Sequence, residues 1–154
     1  MDFRTSYPAP DESSLRVLEA ALGVPLPADY RAWLQGNGGG VTEDDLKYGT
    51  DDLSVEERTH PVVTIFFGLG VADRELDLGG ARGVYDRRLP PEVTPIATND
   101  AGDLVCLAVA GEHAGSVWSW VHEEESADGP SWAGLTRVTD GFTPFVDGLR
   151  AVPW

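Results

Sequence analysis

Three apolar segments separated by two short turns constrain the fold of this chain more than any other feature of its sequence. The segments span residues 93–97, 104–109 and 116–122, and the turns span 99–103 and 111–115. The turns are rich in Asn, Asp and Gly, residues that favour chain reversal. Because strands joined by tight turns pair antiparallel, this region predicts a β-meander. The nearly continuous apolar segment in its middle is expected to be a central strand.

Two helices are predicted before the meander. Asp11 is a suitable N-cap for the first helix, which extends to Leu22 and is followed by Gly23 at the C-cap. The second helix lies within residues 26–39, where a proline occupies the first turn and a glycine-rich segment at 36–39 ends the helix. Its apolar face consists of Tyr30, Trp33 and Leu34.

The other segments complete an α+β pattern. Residues 1–10 are expected to be a flexible lead, because Pro8 and Pro10 interrupt regular structure. The remaining predicted elements are a strand at 61–67, a glycine-rich and weakly helical segment at 76–88, a short strand at 135–138 and a final helix capped by Asp140. This order predicts a single antiparallel sheet flanked by helices, with residues 11–154 forming one domain.

Several short motifs recur along the chain in a definite order. They are LPADY at 26–30, NGG at 37–39, IFFGL at 65–69, LP at 89–90, PIA at 95–97, GDLVCL at 102–107, GSVWSWVHE at 115–123 and VTDGF at 138–142. Together, over residues 11–150, they resemble the SUKH superfamily, which contains fungal cell-wall-synthesis regulators and many bacterial toxin-immunity proteins. Two positions differ from the family's pattern. Val121 stands where the family often has an acidic residue, and Gly141 stands where it commonly has Ser.

The resemblance implies both a fold and a class of function. It implies a SUKH-like α+β domain whose recurring residues are mainly structural, with no catalytic machinery and no cofactor. Its bacterial members look like inhibitors that bind and neutralise a cognate toxin, often a nuclease, through variable surface. The resemblance therefore favours a binding protein over an enzyme.

The net charge restricts the classes of partner. The chain has 26 Asp and Glu residues against 11 Lys and Arg, which gives a formal net charge of −15. Nucleic acids and anionic membranes would be repelled, whereas a basic protein would be attracted and its association accelerated. The acidity is also explained by solubility alone, and both interpretations stay open.

Three features indicate a cytoplasmic protein. No apolar run approaches the roughly 20 residues that a membrane-spanning helix needs. The first ten residues lack the apolar core of a signal peptide. Cys106 is the single cysteine, which excludes an internal disulfide and fits a reducing compartment.

Clustered acidic residues are the first candidates for a binding site. Residues 40–60 contain seven acidic residues against two basic ones and are expected to form an irregular surface loop, and residues 123–130 form a second acidic loop. The clustered carboxylates belong to Glu43, Asp44, Asp45, Asp51, Asp52, Glu56, Glu57, Glu123, Glu124 and Glu125. They are either ordinary solvated side chains or a phosphate-like decoy for the basic groove of a toxin.

Aromatic residues on one strand are the second candidates. Strand alternation places Trp118, Trp120 and His122 on the same face of residues 116–122. Packing beneath a helix explains them, but an open face would make them an aromatic binding surface.

The sequence offers little support for other chemistry. Gly68-Leu69-Gly70 lacks the third glycine of a dinucleotide-binding loop. The three histidines and Cys106 have no metal-ligand spacing, so no metal is predicted. Turn formation explains Asn99 and Asp100, although a hydrolase that uses Asp100, Asp103 or a His122–Glu123 pair stays a hypothesis.

The sequence thus predicts an immunity protein that binds a cognate, basic toxin and blocks its active site without turnover. The alternative is a non-enzymatic scaffold or regulatory interaction module, and a small hydrolase is the third hypothesis. The oligomeric state stays open.

Overall fold

The structure, a computed structural model, describes residues 1–50, 61–124 and 129–152. Within these residues, the strands are β1 (Phe3–Ser6), β2 (Gly40–Lys47), β3 (Val62–Phe66), β4 (Val93–Thr98), β5 (Leu104–Ala108), β6 (Val117–Trp120), β7 (Leu135–Thr139) and β8 (Arg150–Ala151). The α-helices are α1 (Glu12–Leu22), α2 (Ala28–Asn37), α3 (Leu78–Val84) and α4 (Phe142–Gly148). Short 3-10 helices lie at Arg74–Leu76, His122–Glu124 and Trp132–Gly134.

The strands form one antiparallel sheet whose neighbours follow chain order from β1 to β7, and β8 joins the sheet beside β2. In the meander, Val93 of β4 pairs with Ala108 of β5, and Leu104 pairs with Trp120 of β6. The Asn99 side chain holds the first turn by accepting hydrogen bonds from nearby backbone N–H groups. The predicted meander and the α+β fold class are therefore confirmed.

Helices cover both faces of this sheet. On one face, the Tyr48 hydroxyl lies 3.2 Å from Ser119 Oγ, and the Tyr48 ring packs against Phe145 of α4. On the other face, Tyr85, directly after α3, packs edge-on against Trp120 at 5.7 Å. Because neighbouring strand residues point to opposite faces, β5, which lies between β4 and β6, is buried along its whole length.

Both caps predicted for α1 and the glycine end predicted for α2 are confirmed, whereas Pro27 lies at the N-cap of α2 and not in its first turn. The Asp11 side chain accepts a hydrogen bond from the Ser14 N–H at 2.8 Å, and Gly23 ends α1 with φ +78°. Gly38 ends α2 with φ +70°, and a Cβ at this position would collide with the backbone of Tyr7 and Pro8. Glycine at position 38 therefore allows the left-handed backbone that ends α2 and leaves room for the N-terminal segment to pack against it.

The cap predicted for α4 is wrong. Gly141 is the N-cap residue and supplies no side-chain bond. The N–H groups of Phe142 and Thr143 instead donate to the Asp29 carboxylate of α2, at 2.9 and 3.0 Å. Asp140 forms an ion pair with Arg137. Because α4 packs against α2, the Asp29 carboxylate caps α4 in place of the Asp140 carboxylate.

The prediction of a flexible lead over residues 1–10 is wrong for residues 3–6. These residues form β1, in which Ser6 pairs with Gly40 and Phe3 with Thr42. The Phe3 ring also packs near Trp33 and Phe66, with ring centroids 6.5 and 6.3 Å apart. Strand pairing and this aromatic packing offset the entropy cost of ordering the segment.

The prediction of an irregular loop over residues 40–60 is wrong for residues 40–47. These residues form β2, which pairs with β3 and carries both β1 and β8 on its other side. The register with β3 is irregular between Val41 and Leu46, so the acidic part of β2 lies at a local distortion of the ladder. Residues 51–60 lie outside the described residues.

The weak helix predicted at 76–88 is shorter than expected. The helix α3 ends at Val84, and a separate 3-10 turn precedes it. Asp77 separates the two and caps α3 by accepting a hydrogen bond from the Gly80 N–H at 3.1 Å. Gly80 is required here because a Cβ would collide with the Arg74 carbonyl. In the described part of the chain, no helix is both long and apolar enough to cross a membrane.

Candidate functional site

The acidic residues Glu43, Asp44 and Asp45 lie on a strand segment whose backbone is hydrogen-bonded at both of its ends. The Glu43 N–H donates to the Asp2 carbonyl, and the Val152 N–H donates to the Asp45 carbonyl, each at 2.9 Å. Glu43 and Asp44 are exposed, whereas Asp45 is half-buried. The structure therefore presents two exposed carboxylates from a hydrogen-bonded backbone, between the parts of β2 that pair with β1 and with β8.

A cleft of about 410 Å³ opens beside Asp44, between the start of the chain, β8 and α4. Asp2 and Asp147 line this cleft together with Asp44. Neither Asp2 nor Asp147 was predicted from the sequence. Asp2 lay in the expected flexible lead, and Asp147 is one charge on a short helix, so neither carried a local sequence signal.

Of the other acidic candidates that the structure describes, Glu43, Asp45 and Glu123 are not among the residues that line this cleft. Glu123 is exposed on the 3-10 helix after β6. The side chain of Glu124 lies outside the described residues. The same holds for the whole of Asp51, Asp52, Glu56, Glu57 and Glu125, whose role in binding stays a prediction.

The two predicted tryptophans have different environments. Trp120 is 1% exposed, and the Arg88 guanidinium lies 5.2 Å from its ring centre. Its inclusion among partner-binding residues is therefore wrong, because the segment after α3 covers it. Trp118 is half-buried and packs against Trp132 and His113, at 4.8 and 5.3 Å between ring centres. Trp118 alone stays available as a partial aromatic surface.

Asp103 and His122 form the polar pair nearest to a catalytic arrangement. His122 Nδ1 lies 2.8 Å from Asp103 Oδ1, and the His122 backbone N–H donates to the same oxygen at 3.1 Å. A carboxylate on Nδ1 can orient a general-base histidine. The pair also ties the end of β6 to the turn before β5, which gives it a structural role. The hydrolase hypothesis would need a nucleophile beside this pair.

Cys106 does not supply that nucleophile. It is fully buried in β5, and burial raises the pKa of its thiol well above the ordinary value. A buried thiol without its thiolate form is unreactive. Within residues 1–50, 61–124 and 129–152, no group of three or more His, Cys, Asp or Glu side chains is placed to hold a metal ion.

The geometry therefore places exposed carboxylates on a hydrogen-bonded strand, next to a cleft. Comparison with known proteins gives the family to which the chain belongs. Residues 9–148 match the SMI1 / KNR4 family (SUKH-1), and the chain belongs to this family. The resemblance predicted from the motifs is thereby confirmed.

A curated relative is found in Bacillus subtilis (strain 168). It is the SPbeta prophage-derived uncharacterized protein YokK. The two sequences are 27% identical over 153 residues, which cover 90% of this chain and 74% of YokK.

Proposed function

We propose that this protein is a cytoplasmic immunity protein that binds a cognate, basic toxin domain and blocks its active site without turnover. Membership of the SMI1 / KNR4 family (SUKH-1) carries this proposal, since many bacterial proteins of the SUKH superfamily look like inhibitors that neutralise a toxin by binding it. The prophage origin of YokK fits a bacterial setting of this type.

The charge distribution supports a basic partner. A net charge of −15 accelerates encounter with a positively charged domain. Glu43 and Asp44 then offer carboxylates whose backbone is already ordered, so their binding costs less conformational entropy than carboxylates on a flexible loop. Such a surface fits the basic groove with which a nuclease holds phosphates.

Co-expression tests the proposal. Basic C-terminal toxin domains encoded beside the gene are expressed with and without the protein, and growth is measured. We expect one of them to lose toxicity and to bind with a Kd below about 1 μM, equivalent to about −8 kcal/mol. If no domain loses toxicity and none binds, the proposal fails.

Stoichiometry separates blocking from catalysis. A blocking protein abolishes toxin activity in vitro only when it reaches one equivalent, whereas an enzyme that destroys toxin or product acts at a small fraction of an equivalent. Titration of the identified toxin with purified protein gives this ratio directly. Capture of a non-toxic endogenous protein instead would favour the scaffold alternative.

A further inference from the structure

The cleft beside Asp44 continues along α4. A second cavity of about 160 Å³ shares Val146 and Asp147 with it and extends to Trp33 and Phe142. We refer to the two adjoining cavities as the α4 groove. It is lined by the residues before β1, by β2 and β8, by α4 and the residue after it, and by Trp33 of α2.

The floor of the α4 groove is apolar. Leu46, Val146 and Leu149 line the larger cavity, and Trp33 lines the smaller one. Val146, Leu149 and Trp33 are only partly buried while they pack against the core. Apolar surface left open in a concave site is typical of a region that a partner covers.

The rim of the α4 groove is acidic. Asp2, Asp44 and Asp147 are exposed, and no Lys or Arg is among the residues that line either cavity. In the described part of the chain, none of the three takes part in an ion pair. The nearby Arg150 guanidinium donates to the carbonyls of Asp147 and Leu149, so it leaves the carboxylates free.

We infer that the α4 groove is the surface on which the basic toxin domain docks, through a segment that carries Lys or Arg. The long apolar stem of such a side chain matches the floor, and its cationic end matches the three carboxylates. This inference rests on the proposed function and adds the site and the chemistry of contact.

A second cleft on the opposite face of the sheet provides a matched control. It has a volume of about 280 Å³, an apolar lining that includes Ile65 and Val84, and two acidic residues, Glu75 and Asp100. Both acidic side chains are exposed. Substitutions there change the net charge of the protein by the same amount without touching the α4 groove.

The experiment compares two double variants, Asp44→Arg/Asp147→Arg and Glu75→Arg/Asp100→Arg. Binding to the toxin domain identified by co-expression, with its catalytic residue substituted, is measured by calorimetry at physiological salt. We expect at least 100-fold weaker binding for the α4-groove variant and less than 5-fold for the control. Asp44→Asn/Asp147→Asn, which removes charge without adding bulk, should weaken binding at least 10-fold.

Substitutions in the apolar floor test the second component of the site. Val146→Glu should weaken binding at least 30-fold, whereas Val84→Glu in the control cleft should have less than a 3-fold effect. Thermal unfolding of every variant confirms that it is folded, and the exposed aspartate variants keep the test valid if Val146→Glu does not fold.

The outcomes separate the two proposals. If the wild-type protein binds no toxin, the proposed function fails and this inference fails with it. If the wild type binds and the α4-groove variants bind equally well, only the docking site is wrong. Equal losses in both clefts would indicate general electrostatic attraction, and a change in oligomeric state confined to the groove variants would assign the groove to a second copy of the chain. Either result overturns the inference.

Discussion

The Asp29 carboxylate of α2 accepts a hydrogen bond from the backbone N–H of Phe142, 113 residues further along the chain. The same oxygen accepts from the Thr143 N–H, while the other oxygen accepts from Tyr30 N–H. One side chain therefore begins α4 and fixes its position against α2. The Tyr30 and Phe142 rings pack edge-on at 4.9 Å beside this contact.

Replacement of Asp29 should loosen α4. Asp29→Ala leaves two helix N–H groups without their acceptor, and loss of a capping side chain costs about 1–2 kcal/mol. Denaturant unfolding should show this loss of stability. The matched control is Asp140→Ala, which breaks only an exposed ion pair and should cost less than about 1 kcal/mol. Equal losses would contradict the assignment of the cap.

Removal of the hydroxyl group should affect the stability of the protein differently at two buried tyrosines. Among the described residues, the Tyr30 hydroxyl has no hydrogen-bond partner, whereas that of Tyr48 bonds to Ser119 Oγ. Tyr30→Phe should therefore leave the free energy of unfolding unchanged or raise it. Tyr48→Phe should lower it by about 1 kcal/mol. Urea unfolding of both variants measures these changes. A larger loss of unfolding free energy for Tyr30→Phe than for Tyr48→Phe would show that the Tyr30 hydroxyl has a partner.

The contact between α1 and α2 should weaken at low pH. Arg31 bonds to Glu12 at 2.7 Å, and this bond is the main reason that the pKa of Glu12 lies below its ordinary value of 4.5. A carboxyl pKa lowered by folding stabilises the folded state above the ordinary value, and the stabilisation is lost as pH falls through the folded-state pKa. Arg31→Met should raise the pKa of Glu12 in an NMR titration, and Arg16→Met should raise it less.

The bond between Arg31 and Glu12 can also be tested through the stability of the wild type and of Arg31→Met. The difference in free energy of unfolding between wild type and Arg31→Met should shrink as pH falls from 7 to 3. A difference that is constant over this range would show that Arg31 acts through packing and not through its bond to Glu12.

Alkaline pH should destabilise the fold through Cys106. Burial raises the pKa of this thiol above its ordinary value of 9.0, so the unfolded chain releases the proton first. Stability should then fall as pH rises above about 9, by up to about 1.4 kcal/mol per pH unit for one proton. Burial raises the pKa of Tyr30 and Tyr48 as well, which extends the fall above pH 10.

Cys106→Ala provides the control for that prediction. Between pH 8.5 and 9.5, the free energy of unfolding of this variant should fall less steeply with pH than that of the wild type. This expectation does not depend on how stable the variant is. An unchanged slope would assign the alkaline transition to other groups.

Local sequence rules predicted the elements that local interactions form. The Asp11 cap, the glycine ends of α1 and α2, and the turn held by Asn99 all depend on contacts within a few residues. The strands missed were β1, β2 and β8. Of these, β1 and β8 are short strands that form only because β2 offers them a partner from a distant part of the chain.

The same distinction applies to the candidate site. The acidic run at 43–45 was visible in the sequence, and the structure places Asp44 in the α4 groove. Asp2 and Asp147 join it only because the first and last parts of the chain meet at β2. Trp118 and Trp120 looked equivalent by strand alternation, yet cover from Tyr85 and Arg88 buries Trp120.

The sequence by itself determined the α+β class, the order of the meander and the strongly acidic character, because periodicity, turn chemistry and charge are properties of neighbouring residues. The tertiary structure alone decided which carboxylates share a cleft, which aromatic residue stays open and which aspartate caps α4. Those features depend on residues that are far apart in the sequence, such as Tyr85 and Trp120 or Asp29 and Phe142, and that only tertiary packing brings into contact.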